Sequence, residues 1–212
     1  MMHKAVQSAL IALLVFSVSV VSAEKLTEDN EYVRKTNKFA DNTLALHKQL
    51  IQEIDHKLEK SVSGYHGTPD FYNQEKYINK KNGKVISVVT WERDNPENLH
   101  TIEVFVRDSK GRVIRDYAAA YLPTYRNAPT QTLVSFHAYN GDLHAFRTFD
   151  ALGDRLVERC TGKFKGKKVN MLLDEDDLID AIHGDSKIMQ EAHYKACFKG
   201  LPKEAGKYLT PQ

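Results

Sequence analysis

Residues 132–164, TLVSFHAYNGDLHAFRTFDALGDRLVERCTGKF, decide the fold, because hydrophobic and polar side chains alternate along them. An alternation with period two predicts strands that are buried on one side. Two short turn sequences, Asn140-Gly141 and Ala151-Leu152-Gly153, divide the stretch into three strands. Parallel strands would need much longer crossovers. The stretch therefore predicts an antiparallel meander.

The same pattern continues toward the N-terminus, where further turn sequences occur at Asn82-Gly83 and Ser109-Lys110-Gly111. We predict an antiparallel sheet of six or seven strands over residues 71–164. The predicted strands are Tyr72–Asn79, Lys84–Arg93, His100–Asp108, Arg112–Leu122, Thr132–Tyr139, Asp142–Asp150 and Arg155–Phe164.

Helices are predicted before and after this sheet along the sequence. Residues 24–63 carry an apolar stripe with a period near 3.6, wide enough to lie on a sheet. Residues 174–200 predict one or two short helices, with acidic side chains at the start. The predicted fold class is α+β: a long N-terminal helix packed on a curved antiparallel sheet and closed by C-terminal helices. Residues 24–212 would form a single globular domain.

Residues 1–23 have the pattern of a signal peptide. Lys4 gives a basic start, Ala9–Val21 is almost entirely apolar, and Val21-Ser22-Ala23 ends the run with small residues. The run is shorter than the roughly 20 residues of a membrane-spanning helix. We expect an exported protein, periplasmic or secreted, with no membrane span after cleavage. Retention of the leader as an anchor is the alternative.

Charge and motifs narrow the function classes. The chain has 30 Lys+Arg against 28 Asp+Glu, and removal of residues 1–23, with their one lysine, changes the net charge from +2 to +1 over 189 residues. Nucleic-acid-binding domains usually carry a clustered basic excess, so no nucleic acid is expected. The sequence has no phosphate-binding loop, GxSxG, HExxH or CxxC motif, and no cofactor is predicted.

Cys160 and Cys197 are the two cysteines of the chain. Export favours oxidation, so we predict a disulfide between them. The alternative is a metal site, because thiolate and imidazole both bind zinc or copper.

A row of side chains across three strands is the sharpest site prediction. If Asn140-Gly141 is a two-residue turn, His137 lies directly opposite His144. If Asp150 pairs with Asp154, Cys160 lies beside His144, with Tyr139 and Glu158 on the same face. A slip of one residue in either turn would destroy the row. We predict ligand binding at His137, Tyr139 and His144, with His137, His144 and His193 as a weaker metal alternative.

Three further features are candidates for binding. His47 lies in the apolar stripe, where it is either a ligand contact in a helix–sheet cavity or a hydrogen-bonded core histidine. Loops around Tyr65-His66 and Tyr125 are aromatic and would suit recognition, although ordinary connections look the same. The basic run of residues 163–168 could touch an anionic surface, but the acidic run after it is expected to weaken the field.

These observations favour an exported, non-catalytic binding or accessory protein whose ligand is an unknown small molecule or protein. The first alternative is an exported hydrolase or metal-dependent enzyme that uses His137 and His144. The second is an assembly protein that pairs through its N-terminal helix.

Overall fold

A computed structural model describes residues 30–65, 67–123, 127–182 and 187–212. The predicted signal peptide, His66 and Tyr125 lie outside these residues. The elements are α1 (Glu31–Glu53), β1 (His56–Tyr65), β2 (Thr68–Asn79), β3 (Val85–Glu92), β4 (Leu99–Arg107), β5 (Val113–Ala120), β6 (Gln131–Asn140), β7 (Leu143–Phe149), β8 (Arg155–Phe164), β9 (Lys167–Leu173), α2 (Glu175–Ile182) and α3 (Ala192–Cys197), with 3₁₀ turns at Lys187–Gln190 and Gly206–Leu209.

The nine strands form one antiparallel sheet in which each strand pairs with the next along the chain. The predicted α+β class and antiparallel meander agree with this arrangement, but the predicted count of six or seven strands is wrong. The two additional strands are β1 and β9, the edges of the sheet. None of the helices in the described ranges is long and apolar enough to cross a membrane.

The first correction concerns α1, which was predicted to continue to residue 63 but ends at Glu53. Leu58 and Val62 are four residues apart, so they fit a helical stripe and also one face of a strand. The structure selects the strand because β1 pairs with β2 from His56 to Tyr65. Both apolar side chains stay exposed, so long-range backbone pairing, and not local periodicity, decides this segment.

The second correction concerns β9. The lysines that open the segment concealed its alternation, since the apolar residues begin only at Val169. Met171 and Leu173 then point to the same side and are buried. Met171 and Leu173 pack in one cluster with Leu178 of α2.

All described helices lie on one face of the sheet, here called the helix face. Helix α1 packs on β3 to β6, over the fully buried side chains of Val104, Tyr117 and Val134. Helices α2 and α3 pack on the other end of the sheet around Cys160. The opposite face, which carries Asp116, His137 and His144, is called the far face.

A buried ion network holds α3 on the helix face. Glu158 is completely buried and accepts hydrogen bonds from Arg147 at 2.5 Å and Arg155 at 3.2 Å. Its second oxygen accepts from the Tyr194 hydroxyl at 2.7 Å. Tyr194 belongs to α3, so its hydrogen bond to Glu158 fixes the helix on the sheet. Removing one partner of a buried pair leaves an uncompensated charge, so displacement of these groups is costly.

Candidate functional site

The Cys160–Cys197 disulfide is present, which confirms that prediction. Both cysteines are completely buried, and their Cα atoms are 5.9 Å apart. The bridge joins β8 to the end of α3 on the helix face and closes a separation of 37 residues.

The register between β6 and β7 differs from the prediction by two positions. Asn140 pairs with Leu143, so the loop is Gly141-Asp142, and Tyr139 faces His144. Gly141 has φ +63°, as the first loop position of a type II′ turn requires. Because a shift of two positions preserves the faces of a strand, His137 and His144 remain neighbours, now on a diagonal.

The register between β7 and β8 breaks the predicted row. The turn forms as expected, since the Asp150 amide donates to the Asp154 carbonyl at 3.0 Å. An irregularity between Arg155 and Val157 then adds one residue to β8. A single extra residue turns all later side chains to the other face. Cys160 therefore pairs with Ala145 on the helix face, and Glu158 also lies on the helix face, not beside the histidines on the far face.

Three side chains on the far face form a hydrogen-bonded chain. His137 Nε2 lies 2.5 Å from an Asp116 carboxylate oxygen, and His137 Nδ1 lies 3.0 Å from His144 Nε2. Adjacent strands β5, β6 and β7 supply one residue each, which fixes the spacing of the chain. The side chains of His137 and Asp116 are 13% and 23% exposed, so the chain is shielded but still reachable.

The carboxylate determines the tautomers along this chain. A carboxylate only accepts hydrogen bonds, so Nε2 of His137 carries the proton and Nδ1 of His137 accepts from Nε2–H of His144. The lone pair of His144 then resides on Nδ1, which hydrogen-bonds to no described residue. Burial lowers the pKa of His144, and His137 lowers it further, so the neutral form with a free acceptor is favoured.

The chain can also move charge. A proton added at Nδ1 of His144 would release the Nε2 proton to His137 Nδ1. His144 Nδ1 would then carry a proton and become a donor. The outer nitrogen thus offers an acceptor or a donor, depending on one proton.

Aromatic side chains hold His144 in place. The Tyr139 ring stacks on His144 with centroids 4.6 Å apart, and the Arg112 guanidinium lies 4.7 Å from the Tyr139 ring centre. The Tyr139 hydroxyl donates to the Val113 carbonyl at 3.1 Å. Phe146 lies near both histidines. These contacts leave the imidazole of His144 little freedom to rotate.

A cross-strand row continues from His144 to the edge of the sheet. Thr161 pairs with His144, and Asn170 pairs with Thr161. Beside this row lies a shallow cavity of about 690 Å³, whose lining includes Thr161, Asn170 and Lys163. His144 does not line this recess itself, but its cross-strand neighbour Thr161 does.

Sequence reasoning missed Asp116. Its partner His137 was recognised, but β5 and β6 are joined by a longer connection whose register the sequence does not reveal. The signal was present only as an acidic residue in the alternating run of β5.

The remaining predicted residues lie elsewhere. His47 is on the buried face of α1, with Nδ1 2.8 Å from the hydroxyl of Ser87 on β3, which matches the core-histidine interpretation. Tyr65 lies at the opposite end of the sheet from His144, with its ring 5.4 Å from Phe71. His193 lies on α3 at the helix face, 3.0 Å from Glu191. The structure therefore does not bring His193 to the His137–His144 pair.

Among the residues that the structure describes, no group of three or more His, Cys, Asp or Glu side chains is arranged to hold a metal ion. The chain Asp116–His137–His144 is linear, and both nitrogens of its central imidazole are engaged.

Comparison with known proteins gives little further information. No protein-family model matches the chain, and no curated protein matches it. One solved structure is similar, a DUF3836 family protein from Parabacteroides distasonis that is 10% identical. The match covers 60% of this chain and 98% of that one, with a TM-score of 0.21. A similarity at this level supports neither a family nor a function for this chain.

Proposed function

We propose that this chain is an exported, non-catalytic binding protein that holds its ligand on the far face at His144. The observation that carries the proposal is the hydrogen-bonded series Asp116–His137–His144, which leaves an acceptor nitrogen on the cross-strand neighbour of Thr161, a residue that lines a recess. Partly buried polar groups held in a fixed geometry can set the orientation of a ligand. The buried disulfide supports export, because such bridges persist in oxidising compartments.

The surroundings suggest the chemistry of the ligand. His144 Nδ1 would accept from an N–H or O–H group, while Thr161 and Asn170 offer further hydrogen bonds along the same row. The rings of Tyr139 and Phe146 border the histidines with apolar surface. A small polar molecule or a peptide segment with a hydrogen-bond donor fits this combination.

The test is native mass spectrometry of protein purified from the compartment where it accumulates. We expect the wild type to retain additional mass that is lost in His144→Ala. The matched control is His193→Ala, which changes a histidine on the opposite face and should retain that mass. Absence of bound mass in the wild type, or its retention in His144→Ala, would refute the proposal.

The hydrolase alternative rests on the same three hydrogen-bonded side chains, because Asp116 and His137 would support His144 as a general base. Ser135 and Thr148, also on the far face, are poorly placed as nucleophiles, since they are buried and bond to each other at 3.0 Å. Thr161, the cross-strand neighbour of His144, is the nearer hydroxyl. Hydrolysis of p-nitrophenyl acetate that falls in both Asp116→Asn and His144→Ala, but not in His193→Ala, would favour the enzyme. The assembly alternative gains no comparable observation, because the apolar residues of α1 pack on the sheet.

A further inference from the structure

The β8–β9 hairpin extends beyond the strand beside it. The ladder between β7 and β8 ends at the pair Leu143 and Gly162. The ladder between β8 and β9 continues with Lys163 opposite Lys168 and Phe164 opposite Lys167. Two additional residue pairs correspond to about 7 Å of strand. The tip, defined as residues 163–168, therefore projects from the end of the sheet.

The turn at the tip is an unusual place for a lysine. Lys165 and Gly166 have φ values of +48° and +78°, as a type I′ turn requires. Lys165 is the sole non-glycine with positive φ among the described residues. Asn, Asp and Gly are favoured at such positions, and a lysine is strained there. Strained backbone positions are concentrated at functional sites, so we infer that the charge of Lys165 has a functional role.

The charges of the tip are concentrated and unneutralised. Its four lysines are all exposed, and Lys163 lies directly opposite Lys168, a like-charge pair that destabilises a sheet. No ion pair joins any of the four to a carboxylate within the described part of the chain. Asp142 lines the cavity beside Lys163 and Lys168 but forms no ion pair with either.

The acidic run that follows in sequence is too distant to cancel this charge. Strand β9 separates Lys168 from Asp174, and six residues of strand span about 20 Å. Surface charges are screened over about 8 Å at physiological ionic strength. The weakening expected from the sequence therefore does not apply in the folded chain.

We propose that the tip docks the protein on an anionic phospholipid bilayer. Lysines act as point charges suited to a diffuse negative surface, whereas recognition of single phosphates in nucleic acids favours the planar fork of arginine, which the tip lacks. Within the tip, Lys165 Nζ lies 5.5 Å from the ring centre of Phe164. The Phe164 side chain packs against the helix-face core around Cys160, so the exposed lysines are the groups offered to the bilayer.

The test is cosedimentation with phosphatidylcholine vesicles, with and without phosphatidylglycerol. We expect binding that requires the anionic lipid and weakens with salt. Each lysine contributes about fivefold to the partition coefficient, so replacing Lys163, Lys165, Lys167 and Lys168 with Gln should lower it several hundredfold. A retained leader would bind both vesicles alike, so the difference between them is the readout.

The control variant replaces four exposed lysines elsewhere, Lys38, Lys48, Lys81 and Lys110, with Gln and has the same net charge. Equal losses in both variants, or no preference for anionic vesicles, would overturn the proposal. So would tip-dependent binding to duplex DNA or polyglutamate in place of vesicles.

A single variant separates binding from folding. Lys165→Gly removes one charge and also the strained backbone, so it should stabilise the protein while weakening vesicle binding about fivefold. Unchanged vesicle binding in this stabilised variant would contradict the proposal.

Discussion

Removal of the disulfide tests the packing of α3 on the sheet. We consider Cys160→Ala combined with Cys197→Ala, which opens a loop of 37 residues. The entropy of closing such a loop in the unfolded chain corresponds to about 4 kcal/mol. At 2–4 °C per kcal/mol for a chain of this size, the melting temperature should fall by roughly 8–16 °C.

The assay is urea denaturation followed by the fluorescence of Trp91, the single tryptophan, which lies on β3 and therefore reports on the sheet at a distance from the bridge. The control is the wild type unfolded with and without a phosphine reductant. Reduced wild type and the double variant should agree, and the reductant should leave the variant unchanged. A loss below about 1 kcal/mol would refute the reasoning, because loop closure alone predicts more.

Burial of the Cys160–Cys197 disulfide also predicts how fast the wild type is reduced. Both sulfur atoms belong to completely buried residues, so a reductant reaches them only when α3 separates from the sheet. Reduction under native conditions should therefore be slow and should accelerate with subdenaturing urea. Rapid reduction that is independent of urea would show that the bridge is accessible.

Three further predictions concern single residues. Glu158→Gln leaves buried arginine charge uncompensated and should destabilise the protein by about 3–5 kcal/mol in urea unfolding; a loss near zero would contradict the buried network. Burial lowers the pKa of both His47 and His144, so at acidic pH the unfolded chain binds more protons than the folded one. The free energy of unfolding should therefore be highest above about pH 6.5 and decline as the pH falls below that value. In melting curves, His144→Gln should reduce this dependence on pH. Gly162→Ala places a Cβ in overlap with the Asp142 carbonyl oxygen, at a φ of +135°. The melting temperature of this variant should fall further than that of Gly141→Ala, where the added Cβ meets open space.

The candidate site shows where sequence reasoning succeeds and where it fails. His137 and His144 were placed together correctly because an error of two positions keeps both on one face. Cys160 was placed on the wrong face because one additional residue in β8 reverses the alternation beyond it. Asp116 was missed because its contact with His137 crosses a connection of undefined register.

The sequence by itself determined the antiparallel meander and the pairing of its two cysteines. Alternating side chains and short turns are local signals, and the fate of two thiols follows from a predicted compartment. Only the tertiary structure decided that residues 56–65 are a strand, that β9 exists, and where the bulge in β8 lies. These features depend on pairing with neighbouring strands, whose hydrogen bonds outweigh local preference. The same long-range pairing assembled Asp116, His137 and His144 into one chain and separated the lysine tip from the acidic run that follows it.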